Sequence, residues 1–266
     1  MDDVQSSMDH RGISLQKVGV KGVRLPFSIR TKAGGFQHVV ATIDAAVDLP
    51  HDYKGTHMSR FLEVLDAWRN KPVSMVELEE MAKDICVRLQ AGRAHVCFSF
   101  IYFIEKAAPV SGIRSLVDYN CSFEAAYDED GTFDFIISVE VPFTSLCPCS
   151  KEISRYGAHN QRGMMRARLR CRPGVLHWLE DLVASMEEQG SAPVYSLLKR
   201  QDEKFVTEQA YENPKFVEDV IRDLILLFRG LKGVRWFAIE CENFESIHNH
   251  SAYAAHSEWI EGETGK

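Results

Sequence analysis

Residues 115–146 read SLVDYNCSFEAAYDEDGTFDFIISVEVPFTSL. Two runs rich in aromatic and β-branched residues flank Asp128-Glu129-Asp130-Gly131, a turn signal. The spacing predicts two strands, 115–129 and 133–146, with a break in the chain's organisation at 128–132. What lies before the break is then repeated, in kind, after it.

Upstream, VGVKGVRLPFSI (18–29) and FQHVVATIDAAVDL (36–49) read as strands joined by a turn at 32–35. MSRFLEVLDAWRN (58–70) places Phe61, Leu62, Leu65 and Trp68 at helical spacing. A second helix is expected over 74–91, with Ser74 as N-cap and Glu77 completing a capping box. AHVCFSFIYFIEKAA (94–108) is a further strand. Downstream of 133–146, strands are expected at 163–172, 234–246 and 251–261. Helices are expected at 174–189 and at 213–231, the latter opening with Pro214. Strand, strand, helix, helix, strand, strand therefore occurs twice. This is an α+β pattern of antiparallel sheets with a helix pair on one face of each. The expected organisation is a mobile tail at 1–15, one module at 16–130 and a second at 131–266. Open sheet edges suggest closure by oligomerisation.

The chain has 266 residues, 45% hydrophobic and 26% charged, an ordinary globular composition able to bury a core. A net charge of -7 and a pI near 5.8 argue against a general nucleic-acid or membrane-surface binder. No apolar run approaches the ~20 residues needed to cross a bilayer. The first residues, MDDVQSSMDHRG, do not resemble a secretory signal. A cytoplasmic protein is expected. The seven cysteines are an odd, scattered set, not a disulfide framework. Cys86, Cys97, Cys121, Cys171 and Cys241 fall within predicted elements and read as core.

The longest irregular stretches are 145–162 and about 189–212, and long loops in compact domains are usually functional. The first, continued to 163, reads SLCPCSKEISRYGAHNQRG. The thiol of Cys147 and the imidazole of His159 are good donors for zinc or a similar divalent ion, and Cys149 lies beside them. Asp202 and Glu203 offer a carboxylate, and His248 and His250 form an H-x-H. Three protein ligands would leave a position for water, the catalytic pattern, whereas four would make a closed structural site. The competing account of each residue is ordinary: a buried cysteine, surface histidines, a solvated charged run at 199–204. Lys151, Arg155, Arg162, Lys199, Arg200 and Lys204 cluster in or beside the same two loops, as a phosphate-bearing ligand would require.

Three stretches then carry a resemblance: SLCPCSKEISRYGAHNQRG (145–163), LLKRQDEKFVTEQAYENPKFVEDV (197–220) and ECENFESIHNHSAYA (240–254). Together they closely resemble the type IB GTP cyclohydrolases, and the likeness covers nearly the whole chain. It implies a tunnelling fold of two tandem modules and a homotetramer with active sites at subunit interfaces. It also implies conversion of GTP to 7,8-dihydroneopterin triphosphate and formate, the entry to folate. Carried over by position, Cys147, His159 and Glu203 would hold a divalent metal; Cys and His donors favour the softer ions, so zinc, manganese or iron is expected, with magnesium possible because availability often decides. Glu218 would anchor the guanine, and Cys147, His248 and His250 would act at the reacting purine. Lys151, Arg162, Arg200 and Lys204 are the candidates for the triphosphate. A tunnelling-fold nitrile reductase, with Cys147 forming a thioimide on a deazapurine and NADPH consumed, is the enzyme alternative. A closed Cys/His zinc module is the non-enzyme one.

Overall fold

The computed structural model describes residue 5 and residues 7–260. Ten strands and six helices follow in the order β1 (Leu15–Arg30), β2 (Phe36–Leu49), α1 (Met58–Trp68), β3 (Pro72–Val73), α2 (Met75–Leu89), β4 (Arg93–Ala107), β5 (Arg114–Asp128), β6 (Phe133–Leu146), α3 (Pro148–Ile153), β7 (Asn160–Cys171), α4 (Leu179–Glu187), β8 (Ala192–Pro193), α5 (Arg200–Glu212), α6 (Val217–Gly230), β9 (Val234–Asn243) and β10 (Ala252–Trp259). The α+β class expected from the alternation of strand and helix signals is the class found.

The chain forms two compact units: the described chain up to Ile101 with Ser122–Ile137, and Tyr102–Cys121 with the described chain from Ser138 onward. In the first, β2 lies between β1 and β4, and the short β3 borders β1. β1 and β2 are antiparallel with Phe27 opposite Val39, and β2 and β4 with Thr42 opposite Ser99. Period-two alternation puts Phe27, Ile43 and Phe98 on the buried face. Phe27 and Phe98 meet edge to face at 5.0 Å. α1 buries Phe61, Val64, Leu65 and Trp68, whereas Leu62, grouped with them by its spacing, is exposed. Helical geometry explains the exchange, because 61, 64, 65 and 68 share one face and 62 lies beyond its edge. The N-terminus of α2 also differs from expectation. Ser74 is the N-cap without a side-chain cap bond; its hydroxyl donates to the Glu77 carboxylate, which also accepts from Arg30 Nη2 at 2.7 Å. Residues at the amino end are tied to this unit, with Met8 bridging Tyr53 and the Asp9 N–H donating to the Asp52 carbonyl at 3.0 Å.

In the second unit β7 lies between β6 and β9, and β10 borders β9. Met165 stands opposite Cys241 across β7 and β9, and Cys241 stands opposite Ala254 of β10. Met165, Ala167, Leu169, Phe237, Ile239 and Cys241 make one buried face, and α6 buries Val220, Ile221, Leu224 and Phe228. Phe228 and Phe237 lie 5.6 Å apart. A buried polar cluster interrupts this core. Lys106 donates to both carboxylate oxygens of Glu187 at 2.7 and 2.8 Å and to the Val194 carbonyl at 2.9 Å. The Tyr119 hydroxyl adds a bond to Glu187 at 2.9 Å.

Three expectations are corrected in this unit. The stretch 189–212 is not all loop, since α5 occupies Arg200–Glu212. That helix buries only Asp202 and Ala210, so it carries no apolar stripe to betray its period. The helix expected at 174–189 begins at Leu179, after Gly174 at φ 79° breaks the pattern. The helix expected from 213 begins at Val217, with Pro214 ahead of it. Among the described residues no helix is long and apolar enough to cross a membrane, and all seven cysteines are free thiols.

Candidate active site

The site lies within the second unit, at the end of the sheet where β6 finishes and β7 starts. Pro148 opens α3, which suits proline because the first helical N–H has no intrahelical partner. Cys147 is therefore the N-cap, and its Sγ accepts the Ser150 N–H at 3.4 Å. The Cys147 N–H donates to the His159 carbonyl at 3.2 Å. Ser150 completes the closure: its hydroxyl donates to the Cys147 carbonyl at 3.3 Å and accepts the His159 N–H at 3.0 Å. One hydroxyl thus clamps the two ends of the loop, bringing the thiol-bearing and imidazole-bearing residues together. Cys149, two residues on, is exposed.

The His159 ring is held from one side. Nδ1 lies 2.9 Å from Gln161 Oε1 and 3.8 Å from Glu245 Oε2, and Gln161 Nε2 donates to Glu245 Oε1 at 3.5 Å. Nothing in sequence reading singled out Gln161 or Glu245. They are 84 positions apart, and the only available signal was that both fall inside the stretches that carry the resemblance. Glu245 reaches the site because the Phe244 N–H donates to the Arg162 carbonyl at 2.9 Å and the Glu245 N–H to the Asn243 carbonyl at 3.0 Å. Close packing sets this corner. A Cβ at Gly163 would fall 2.5 Å from Phe143 Cε1, and one at Gly190 would fall 2.7 Å from Phe143 Cδ2.

The two adjacent acids on α5 have different places. Asp202 is fully buried and accepts from the Val110 and Ser111 N–H groups at 2.8 Å each, the Ser111 hydroxyl at 2.7 Å and the Lys199 N–H at 2.9 Å. Burial alone would raise its carboxyl pKa, but the bonds from Ser111, Lys199 and Val110 outweigh burial and hold it well below the usual range. Asp202 anchors α5, and Glu203 next to it is exposed on the first turn. Lys151 Nζ donates to the Tyr211 carbonyl and lies 4.3 Å from the centre of that ring, tying α3 to the far end of α5. Arg162 and Arg200 are exposed, and Lys204 pairs with Glu208 at 3.6 Å. Glu218 is exposed on the first turn of α6. His248 and His250 are exposed in the bend after β9, their rings stacked with centres 5.1 Å apart.

Among the described residues, no three or more His, Cys, Asp or Glu side chains converge on a point that could hold a metal ion. Cys147 and His159 are brought together; Glu203 does not join them in such a group. The two donors nevertheless suit a divalent ion. One is a thiol at a helix N-cap, and the other is an imidazole whose Nδ1 is already engaged by a hydrogen-bonding partner, as metal-ligating histidines generally are.

Comparison with known proteins extends over nearly the whole chain. A family described as type I GTP cyclohydrolase folE2 matches residues 1–254. The chain is 55% identical over 255 residues to a protein named GTP cyclohydrolase FolE2 from Geotalea uraniireducens (strain Rf4), covering 96% of this chain and 92% of that one. Identity is 53% over 255 residues to the protein of that name from Geobacter sulfurreducens, covering 96% and 97%. Among solved structures, uricase from Arthrobacter globiformis superposes with a TM-score of 0.54 at 10% identity, covering 94% of this chain and 96% of that one. At that identity the likeness shows fold alone, and the fold is the tunnelling fold.

Proposed function

Because the chain belongs to the type I GTP cyclohydrolase folE2 family, and is a GTP cyclohydrolase, we propose that it is the metal-dependent, type IB form of that enzyme. Its products are 7,8-dihydroneopterin triphosphate and formate, at the entry to folate synthesis. The observation that supports this reading is the Ser150 clamp, which ties the backbones of Cys147 and His159 together across one loop.

Cys147 and His159, with Glu203 as the third donor, would hold a zinc, manganese, iron or magnesium ion; such an ion acidifies a water that can attack a poor electrophile such as C8 of guanine. The remaining work falls to the chain. The guanine edge presents N1–H and the 2-amino group side by side, and the Glu218 carboxylate accepts both, which selects against adenine. His248 and His250 give and take protons at the ring nitrogens as C8 leaves as formate, and again as the ribose rearranges and closes onto the opened base. Arg162, Arg200 and Lys204, with Lys151, offer the triphosphate its positive charge. We assign the chain to a homotetramer with the site at a subunit interface. The free thiols suit the reducing cytoplasm. The two modules at 16–130 and 131–266 are its tandem repeats.

The test is turnover of GTP by chelated protein resupplied with one divalent ion at a time, following formate and the oxidised pterin's fluorescence. Both products are expected with at least one ion, and neither from Cys147→Ala. Full turnover by that variant would remove Cys147 from the site. Oxidation of NADPH with a deazapurine nitrile, and no formate from GTP, would transfer the chain to the nitrile reductases.

A further inference from the structure

A histidine can ligate through a ring nitrogen only if that nitrogen carries a lone pair, so the hydrogen must sit on the other one. Around His159 the surroundings of Nδ1 decide which nitrogen this is. Gln161 Oε1 stands 2.9 Å away and Glu245 Oε2 stands 3.8 Å away. The Gln161 amide is oriented by its other end. Its nitrogen donates to Glu245 Oε1 at 3.5 Å, and a carboxylate can only accept, so the amide oxygen is the atom turned toward the ring. Nδ1 therefore faces two acceptors. A lone pair there would be repelled by both, whereas an N–H satisfies them.

The placement comes from the fold. His159 immediately precedes β7 and Gln161 lies two residues on, so strand alternation points the two side chains the same way. Glu245 arrives from the exit of the neighbouring β9. All three side chains are largely withdrawn from water: Gln161 is 8% exposed, and the His159 and Glu245 side chains are 15% and 13% exposed. In that setting the hydrogen bonds are not diluted by solvent, and the ring has little freedom to turn over.

We infer that Gln161 and Glu245 are positioning residues that hold His159 as its Nδ1–H tautomer, leaving Nε2 as the donor offered to a metal ion. The inference rests on the metal reading of Cys147 and His159 given above. Neither residue need touch substrate. Gln161 acts on His159 directly, and Glu245 acts through the Gln161 amide.

The experiment measures metal affinity rather than turnover. The full chain, stripped by chelation, is titrated with Co²⁺ and then with competing Zn²⁺. The cysteine-to-cobalt charge-transfer band and the visible ligand-field bands are followed, with circular dichroism confirming the fold of each variant. Gln161→Leu removes the acceptor and is expected to weaken binding by about 10- to 100-fold while the cysteine band persists. Exchange of the two groups, Gln161→Glu with Glu245→Gln, keeps an acceptor at Nδ1 and a donor–acceptor bond behind it, so it is expected to regain most of the affinity. A residue acting only as filler would lose little in Gln161→Leu, which is of similar size, and the exchange would then have nothing to restore. Unchanged affinity in Gln161→Leu overturns the inference, as does a folded exchange variant binding no better than Gln161→Leu. Should Gln161→Leu fail to fold, the exchange variant decides alone, against the unsubstituted chain. A His159→Ala control separates the two readings. Cobalt binding that survives it overturns the metal assignment and this inference together, whereas binding abolished in His159→Ala but untouched in both Gln161 variants overturns this inference only.

Discussion

Replacing Gly163 by alanine tests the packing that sets the site corner. The added Cβ would lie 2.5 and 2.6 Å from Phe143 Cε1 and Cζ and 2.7 Å from Asn243 Oδ1. Carbon atoms at ease are about 3.5–4.0 Å apart, so roughly 1 Å must be found. Neither neighbour can readily yield it. The other side of the Phe143 ring is flush against Gly190, and Asn243 is buried with its Nδ2 donating to Ser145 Oγ at 2.9 Å. Overpacking of this kind costs about 1–3 kcal/mol, and at about 2–4 °C per kcal/mol the thermal midpoint should fall by roughly 2–12 °C. Phe143→Leu removes the two ring atoms that clash, so the double variant should be less destabilised than the sum of the singles, by about 1 kcal/mol or more. Thermal unfolding of the four chains, followed by circular dichroism, measures this coupling. The β7 shift should also weaken cobalt binding, since Gly163 stands opposite Asn243 and adjoins the carbonyl that holds Phe244. An alanine variant as stable as the parent, or strictly additive costs, would refute the reasoning.

Two other expectations concern charge. Lys106→Met strands the buried Glu187 carboxylate with the Tyr119 hydroxyl and should cost about 3–5 kcal/mol, while adding Glu187→Leu should recover much of that; urea midpoints in which the double variant is the worse of the two would contradict it. The Arg229 guanidinium, bonded to both Glu258 carboxylate oxygens at 2.7 and 2.8 Å, holds Glu258 down to about 2 from an ordinary 4.5. A carboxyl depressed in the folded state stabilises fully above its unfolded pKa, so that contribution should fade as pH falls from about 4.5 toward 2. Arg229→Gln should flatten that part of the midpoint-versus-pH curve, and an unaltered slope would remove the pair from acid stability.

What sequence could and could not disclose follows from the range of each signal. β6 emerges over Phe133–Leu146, the expected bounds, because alternation is local and every second residue testifies to the same face. α5 escaped because its one buried charge, Asp202, is satisfied by a loop some ninety positions earlier, and no window along the chain contains both. The same limit divides the site. Cys147 and His159 were legible as donor types in one polar loop, and Asp202 and Glu203 as neighbouring acids. That one of those acids is an anchor and the other is exposed needed the third dimension. Gln161 and Glu245 were invisible as a pair for the same reason.

The strand order explains why the motif-bearing stretches nonetheless collect. β6, β7 and β9 are neighbours in the sheet, and β7 runs antiparallel to β9. The chain leaves β6 at Leu146, enters β7 at Asn160 and leaves β9 at Asn243, so an exit, an entry and an exit fall at the same end of the sheet. Cys147 and His159 are the residues just outside the first two points and Glu245 is the second residue beyond the third, so a meeting is imposed on them by topology before any side chain is considered. Glu203 sits on a different kind of element: it rides on a helix anchored through Asp202 to the connection between β4 and β5 and through Tyr211 to Lys151 of α3. Cys147, His159 and Glu245 are thus placed by the sheet, whose geometry is as rigid as the strand register, whereas the place of Glu203 is set by the polar ties of α5.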